Sequence, residues 1–287
     1  MDRQKILLQL DTDEQPSTFD SIVAIDAGEV DRLLRYNNVT PYNVRSIVHG
    51  AIFTRGPDDL SRTAIFIGGT DVAAAEAVMT QVLDTFFGPL RVSVMLDPNG
   101  ANTTAVAAVR AASRTMELAG AETVVLGATG PVGQRVVRLL AREQAHVRVG
   151  SRRVDRAQAV CNNVGSLVEG AKLTAYGTET DADITKLLDG AHVVVAAGAA
   201  GVELLTRDQW QNESLKVAID LNAVPPLGIA GIEVADRGTE RSGIVCYGAL
   251  GVGTTKMRLH RLAVKLLFEQ RDKVLDAEEL FEIGRGL

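Results

Sequence analysis

The 287 residues carry 30 basic and 36 acidic side chains, a net charge of −6, and 46% of them are hydrophobic. A mixed, mildly acidic chain offers no electrostatic footprint for a nucleic-acid backbone or an anionic membrane, so small-molecule chemistry is favoured over polymer binding. The apolar content can fill more than one core, and at this length two α/β domains are the default expectation. The start, MDRQKILLQLDTDEQ, turns acidic after a short apolar run, and no stretch approaches the roughly 18 apolar residues of a spanning helix, so a cytoplasmic protein without a membrane partner is expected. Cys161 and Cys246 lie far apart, and His49, His146, His192 and His260 are scattered, which predicts buried free thiols and neither a metal site nor a disulfide framework.

The first segment reads as a strand at Ile6 to Leu10, a helix near Phe19 to Ala27, a strand at Ile47 to Thr54, and a strand at Thr63 to Ile67 closed by Gly68-Gly69. A helix follows from Asp71, a good N-cap, to about Phe87, and then a strand at Arg91 to Leu96 that runs into the polar loop DPNGANTT. Thr103 to Ala119 is Ala-rich and helical, with Gly120 as its natural C-cap. The apolar strand TVVL from Thr123 enters a glycine loop, GATGPVG, and an amphipathic helix, QRVVRLLAREQA. Further strands are predicted at His146 to Val149, Lys172 to Ala175, Val193 to Ala196, Val217 to Leu221 and Ile244 to Tyr247, and helices near Lys256 to Gln270 and Asp276 to Ile283. The pattern predicts an α/β protein of two α/β domains, the second a Rossmann-type doubly wound parallel sheet. The boundaries expected are 1–118, 119–255, and C-terminal helices at 256–287 packing back on the first domain.

Strand, glycine turn and helix in that order point to a dinucleotide. Gly127, Gly130 and Gly133 stand where the backbone must turn tightly, let a pyrophosphate approach amide N–H groups, and seat a helix on the sheet. Ala128, Thr129, Pro131 and Val132 complete the loop, with Ala128 where the usual fingerprint begins with glycine. An NAD enzyme would carry a carboxylate about twenty residues on, for the adenosine ribose 2′-hydroxyl. Here Ser151, Arg152 and Arg153 follow Gly150, a hydroxyl and two guanidiniums that suit a 2′-phosphate, so NADP is preferred and NAD is the weaker ligand. Later strand ends deliver Ala197-Gly198, Asn222-Ala223 and the run from Gly248 to Gly253 to the same edge, as further cofactor contacts.

No Tyr has a Lys four residues away on a helix, and no metal cluster is evident, so the hydride donor is one that needs no general acid or base. The blocks GATGPVG, QLDTDEQPSTFD, DPNGANTT, WQNESLKV, LNAVPPLGIAGIE and GALGVGTTKMRLHR together resemble the methylene-tetrahydromethanopterin dehydrogenase family across nearly the whole chain. The resemblance implies oxidation of methylene-tetrahydromethanopterin to the methenyl cation with reduction of NADP, in one-carbon metabolism. That reaction moves no proton, because two nitrogens delocalise the charge left behind. The protein's task is to hold C4 of nicotinamide about 3 to 3.5 Å from the methylene carbon, in a cleft expected between the domains.

The same resemblance implies a catalytic role for Lys256 and substrate contacts from Asp20, Asn99, Asn102, Thr103 and His260. Each has a plainer reading: Asp20 in an ion pair, the asparagines shaping a turn, His260 packed, Lys256 solvated. An ammonium beside a developing cation opposes the reaction unless it is paired, deprotonated or directed at a pterin oxygen, so positioning by hydrogen bond is the expected role of Lys256. Methylene-tetrahydrofolate as substrate, a non-catalytic NADP-sensing module and an atypical carbonyl reductase are the alternatives. Similar enzymes form homo-oligomers, often trimers, and self-association is expected on that ground.

Overall fold

The computed structural model describes residues 3–287. In chain order the elements are β1 (Ile6–Asp11), α1 (Thr18–Asp26), β2 (Arg32–Tyr36), α2 (Val44–Phe53), β3 (Thr63–Gly68), α3 (Val72–Thr85), β4 (Ser93–Leu96) and α4 (Ala101–Thr115). Then come β5 (Glu122–Leu126), α5 (Pro131–Arg142), β6 (His146–Ser151), α6 (Val154–Leu167), β7 (Lys172–Gly177), α7 (Asp181–Leu188), β8 (Val193–Ala196), α8 (Arg207–Trp210) and β9 (Val217–Asp220). The chain closes with β10 (Arg237–Arg241), β11 (Ile244–Tyr247), α9 (Ala249–Leu266), β12 (Val274–Leu275) and α10 (Ala277–Gly284). It divides into two compact units, one of residues 1–103 with 257–287 and one of residues 104–256.

In the first unit five parallel strands lie in the order β12-β4-β3-β1-β2. The central strand β3, TAIFIG, is buried along its whole length because helices cover both faces of a parallel sheet, which is why its sequence is continuously apolar. Leu8, Leu10, Ile65 and Ile67 pack with Val44, Val48, Ile52, Val78 and Val82 into its core. The side chain of Asp71 accepts a hydrogen bond from the amide of Ala74 at 3.1 Å and starts α3, as the sequence predicts. The C-terminal segment adds β12 as an edge strand and α10, whose N-cap Asp276 forms a capping box with Glu279.

The second unit has seven strands in the order β10-β11-β9-β8-β5-β6-β7. Six are parallel and doubly wound about β5; only β10 runs antiparallel. Val124, Leu126, Val194, Ala218, Leu187 and Trp210 build its core, and the Trp210 indole donates to the Ala230 carbonyl at 3.0 Å. Both cysteines are buried thiols, and burial pushes the Cys246 thiol up to about 11.

Several sequence expectations change. Ile47 to Thr54 lies in helix α2 and its C-cap, not in a strand: the buried positions Val44, Val48, Ala51 and Ile52 are spaced for a helical face, and its first member falls outside the β-branched run that suggested a strand. Strand β2 was not predicted, because it is an edge whose RLLRY side chains are exposed or half-buried and show no alternation. The polar loop after β4 is shorter than expected, since α4 begins at Ala101 and ends at Thr115, five residues before Gly120. The second sheet is mixed rather than wholly parallel: β10 and β11 form a hairpin through Ser242 and Gly243, both at positive φ, a turn that the Ser-Gly pair signals. The run Gly248 to Gly253 is not a loop, because α9 begins at Ala249, seven residues before the predicted start. No helix among the described residues is long and apolar enough to cross a membrane.

The α2 assignment has a direct test. Gly50 lies exposed inside this helix, and a Cβ added there meets nothing within 4 Å. Gly50→Ala is therefore expected to stabilise the protein by about 0.5 to 1 kcal/mol in urea unfolding; a neutral or negative change would contradict a helix here.

Candidate functional site

Register brings the turns of the second unit together. Leu126 pairs with Gly150 on β6 and with Ala196 on β8, so Gly127, Ser151 and Ala197 leave the sheet side by side at its carboxyl edge. The strand order reverses between β5 and β8, and such a switch point is where doubly wound sheets bind ligands. There Gly127 adopts φ +66, and a Cβ on it would stand 2.6 Å from the backbone N and Cα of Gly198. Gly198 is hemmed in likewise, since its own Cβ would meet Leu204 at 2.7 Å.

The other turn glycines serve different ends. A Cβ on Gly133, in the first turn of α5, would lie 2.5 Å from the Gly127 carbonyl, so this glycine seats the helix on the strand. Gly130 has no close neighbour; it is the N-cap of α5, offers no side-chain cap, and leaves the helix N-terminus free to receive an anion. Helix α5 starts at Pro131, three residues before the predicted QRVVRLLAREQA, so Pro131, Val132 and Gly133 form its first turn. Ala128 is wholly buried, its amide donating to the Gly150 carbonyl at 3.2 Å, which explains an alanine where the usual pattern has glycine. Gln134 ties the turn by donating to the Thr129 carbonyl at 2.9 Å.

At the end of β6, Ser151 is buried and its hydroxyl accepts from the Arg153 amide at 3.4 Å. Arg152 is exposed and, among the described residues, has no ion pair or side-chain hydrogen bond. Arg153 is paired with Asp155, so the two arginines are not equivalent. At the end of β9, Asn222 is committed to its own loop: its side-chain amide donates to the Pro226 carbonyl at 3.0 Å and its oxygen accepts from Val224 at 2.9 Å. Ala223 is exposed beside it. Gly253 sits within α9, where a Cβ would meet open space.

Asp220 was missed in the sequence. It is 1% exposed and accepts from the amides of Asn222 at 3.0 Å and Ile229 at 2.9 Å. Burial raises its carboxyl above the usual range, against the lowering effect of these N–H donors. A charged residue closing the buried strand VAID was the available signal.

In the first unit the strand order reverses between β1 and β3, where Asp11 pairs in register with Gly68. Carboxylate oxygens of Asp11 and Asp20 lie 3.5 and 3.7 Å from the position of a Cβ on Gly68, so Asp20 stands at that crevice. Thr103, Asn102 and His260 gather instead at the end of β4. Asp97, fully buried, accepts from the Thr103 amide at 3.0 Å and hydroxyl at 2.6 Å, and lies 3.7 Å from His260 Nδ1. The His260 ring, 1% exposed, stacks on Phe66 with centroids 5.4 Å apart. Asn102 donates to the Leu96 carbonyl at 2.6 Å and to Asp276 at 2.7 Å. Asn99 is exposed at φ 52, outside this cluster. Lys256 is half-buried on α9, one turn before His260. Asp97 is the second residue not found by sequence reading, although DPNGANTT contains it.

A glycine turn at the switch point of such a sheet defines a dinucleotide-binding α/β protein of the dehydrogenase type. Comparison with known proteins makes this particular. Residues 18–99 match the family model described as methylene-tetrahydromethanopterin dehydrogenase, N-terminal, and residues 127–281 match the one described as NAD(P)H-binding. The chain is 46% identical over 289 residues, 99% of each sequence, to the bifunctional protein MdtA of Methylorubrum extorquens. It is 33% identical over 295 residues, 98% of each, to the NAD(P)-dependent methylenetetrahydromethanopterin dehydrogenase of the same organism. The fold is also that of quinate dehydrogenase from Corynebacterium glutamicum in complex with NAD, at 14% identity, TM-score 0.51, covering 99% of this chain and 100% of that one. The chain belongs to the methylene-tetrahydromethanopterin dehydrogenase family.

The glycines separate by cause, and substitution distinguishes them. Gly127→Ala, clashing and at positive φ, is expected to cost at least about 2 kcal/mol and to abolish NADPH binding. Gly130→Ala should cost no more than about 1 kcal/mol. Thermal unfolding and NADPH fluorescence titration measure both, and equal effects would refute the distinction.

Proposed function

We propose that the protein oxidises methylene-tetrahydromethanopterin to the methenyl cation and passes the hydride to NADP, with NAD the weaker acceptor. The observation that carries this reading is the close approach of the Gly127 and Gly198 backbones at the switch point, which leaves no room for a side chain on Gly127, beside the α5 N-terminus and the β6 turn whose Arg152 has no protein partner among the described residues. The names of the 33% identical relative and of the N-terminal family model support the pterin.

When bound, the dinucleotide supplies the hydride acceptor through its nicotinamide. Gly127 and Gly133 keep the turn low enough for a diphosphate to approach the α5 amides, whose dipole favours the negative charge. Arg152 neutralises the 2′-phosphate, with Ser151 beside it. On the substrate side no residue has to move a proton, because two nitrogens flank the reacting carbon and share the charge. Lys256 positions the pterin by hydrogen bond, and Asp20, Thr103 and His260 contribute at the ends of β1, β3 and β4. Asn102 holds β4 to α10 and thereby fixes where Thr103 stands. Asn99, exposed in the turn before α4 and outside that cluster, contributes a further contact to the pterin. Self-association, with a trimer as the working expectation, and a cytoplasmic location belong to the same proposal.

The reading is tested by following reduced-nucleotide absorbance with methylene-tetrahydromethanopterin and methylene-tetrahydrofolate, each with NADP and NAD. The highest kcat/KM is expected for the methanopterin with NADP; preference for the folate would reassign the substrate, and no turnover with either would favour a sensing module. Lys256→Met should cut kcat by about tenfold to a hundredfold while leaving the NADPH Kd nearly unchanged; a fully active variant removes this lysine from the site. Arg152→Gln should weaken NADPH binding about tenfold and NADH binding little. In the unsubstituted protein the advantage for NADP should shrink below about pH 6, where a phosphate monoester loses its second charge.

A further inference from the structure

The turn after β6 holds its two arginines in different states. Arg152 has no side-chain partner among the described residues. Arg153, the N-cap of α6, lays its guanidinium fork against the Asp155 carboxylate: Nε donates to Oδ1 at 3.0 Å and a terminal nitrogen bonds Oδ2. The Arg153 fork holds the Asp155 carboxyl below the usual range, with the Arg156 amide assisting. Both side chains are well exposed, 61% and 60%, so water screens the pair and it opens at small cost.

Asp155 is the second residue of α6, where a carboxylate suits the helix dipole. The same charge sits two residues from the arginine that a 2′-phosphate would recruit. Resting on the reading that this turn receives the adenosine ribose, we propose that Asp155 is a specificity-determining residue that sets the ratio of NADP to NAD use by latching Arg153. With a 2′-hydroxyl on the ribose, Arg153 and Asp155 stay closed as a neutral pair, which neither repels the ribose nor leaves a bare guanidinium beside it. A 2′-phosphate held by Arg152 gains Arg153 as a second partner only by opening the pair, which leaves Asp155 as an unpaired carboxylate nearby. The latch therefore makes the chain less selective for the phosphate than two unengaged arginines would be, and Arg152 alone supplies the standing preference.

The experiment compares NADPH and NADH dissociation constants by fluorescence titration in the unsubstituted protein, Asp155→Asn, Arg153→Gln and the double variant. The carboxamide introduced by Asp155→Asn retains an oxygen for the Arg156 amide, so the start of α6 is kept, and thermal unfolding verifies this. Asp155→Asn is expected to raise the affinity ratio of NADPH over NADH about three- to fivefold, the effect of opening one exposed ion pair. In the Arg153→Gln background the same change should move the ratio by less than about half of that. An unchanged ratio in Asp155→Asn, or an undiminished gain without Arg153, overturns the latch. Failure of the unsubstituted protein to bind either nucleotide is a distinct result, which overturns the nucleotide reading together with the latch.

Discussion

The second unit depends on how closely two strand ends approach. At the reversal between β5 and β8, Gly127 and Gly198 come so near that a single Cβ on Gly127 would penetrate backbone, at 2.6 Å. Everything nearby follows from that contact. The turn must take φ +66, the helix must start at once at Pro131, and its first turn must carry Gly133 so that the Gly127 carbonyl is not struck. The result is a helix N-terminus at the sheet edge whose N-cap, Gly130, supplies no side-chain cap, the electrostatic arrangement that recognises a phosphate without a dedicated cation.

The opposite device appears where strands end in aspartate. Asp11 closes β1, Asp97 follows β4, and Asp220 closes β9; all are buried. Each turns both oxygens onto donors of the following loop: Asp11 onto the amides of Asp13 and Ser17, Asp97 onto Thr103, and Asp220 onto Asn222 and Ile229. A buried carboxylate is costly unless its lone pairs are met, so each aspartate enforces one loop conformation. The segments that follow are thereby held in one conformation, the first turn of α4 with Thr103 among them.

The legible part of the sequence was the part where one rule acts alone. Continuous apolar runs gave β3, β5, β8 and β9, since a parallel strand buried on both faces tolerates little else. The glycine turn was legible because strand, turn and helix must follow in order. What failed was local sequence overruled by tertiary context. The segment from Ile47 has strand-like residues yet packs as a helix because its apolar positions face one core, and β2 pairs with β1 through backbone bonds its side chains do not announce. Glycines at Gly248 and Gly251 suggested a loop, whereas a Cβ on them would strike the backbone of Glu233 and Asp236 at 2.0 and 1.9 Å; they let the start of α9 lie against that segment. Asp97 and Asp220 were invisible because a strand-end aspartate reads as a turn residue until its burial is known.

The contrast between the two candidate regions has a chemical logic. The glycine turn is made of backbone and small residues, which present N–H dipoles and no titratable group, and this suits the diphosphate of a dinucleotide, whose charge is permanent. The first unit's edge is crowded with side chains that are already bonded to one another: Asp97 to Thr103, Asn102 to Asp276 and the β4 carbonyl. Such groups are held in one geometry, because leaving any of them unpaired would carry the full desolvation cost of a buried polar group. A hydride transfer whose product cation is stabilised within the substrate asks only for orientation, so a rigid, pre-bonded surface is an advantage there.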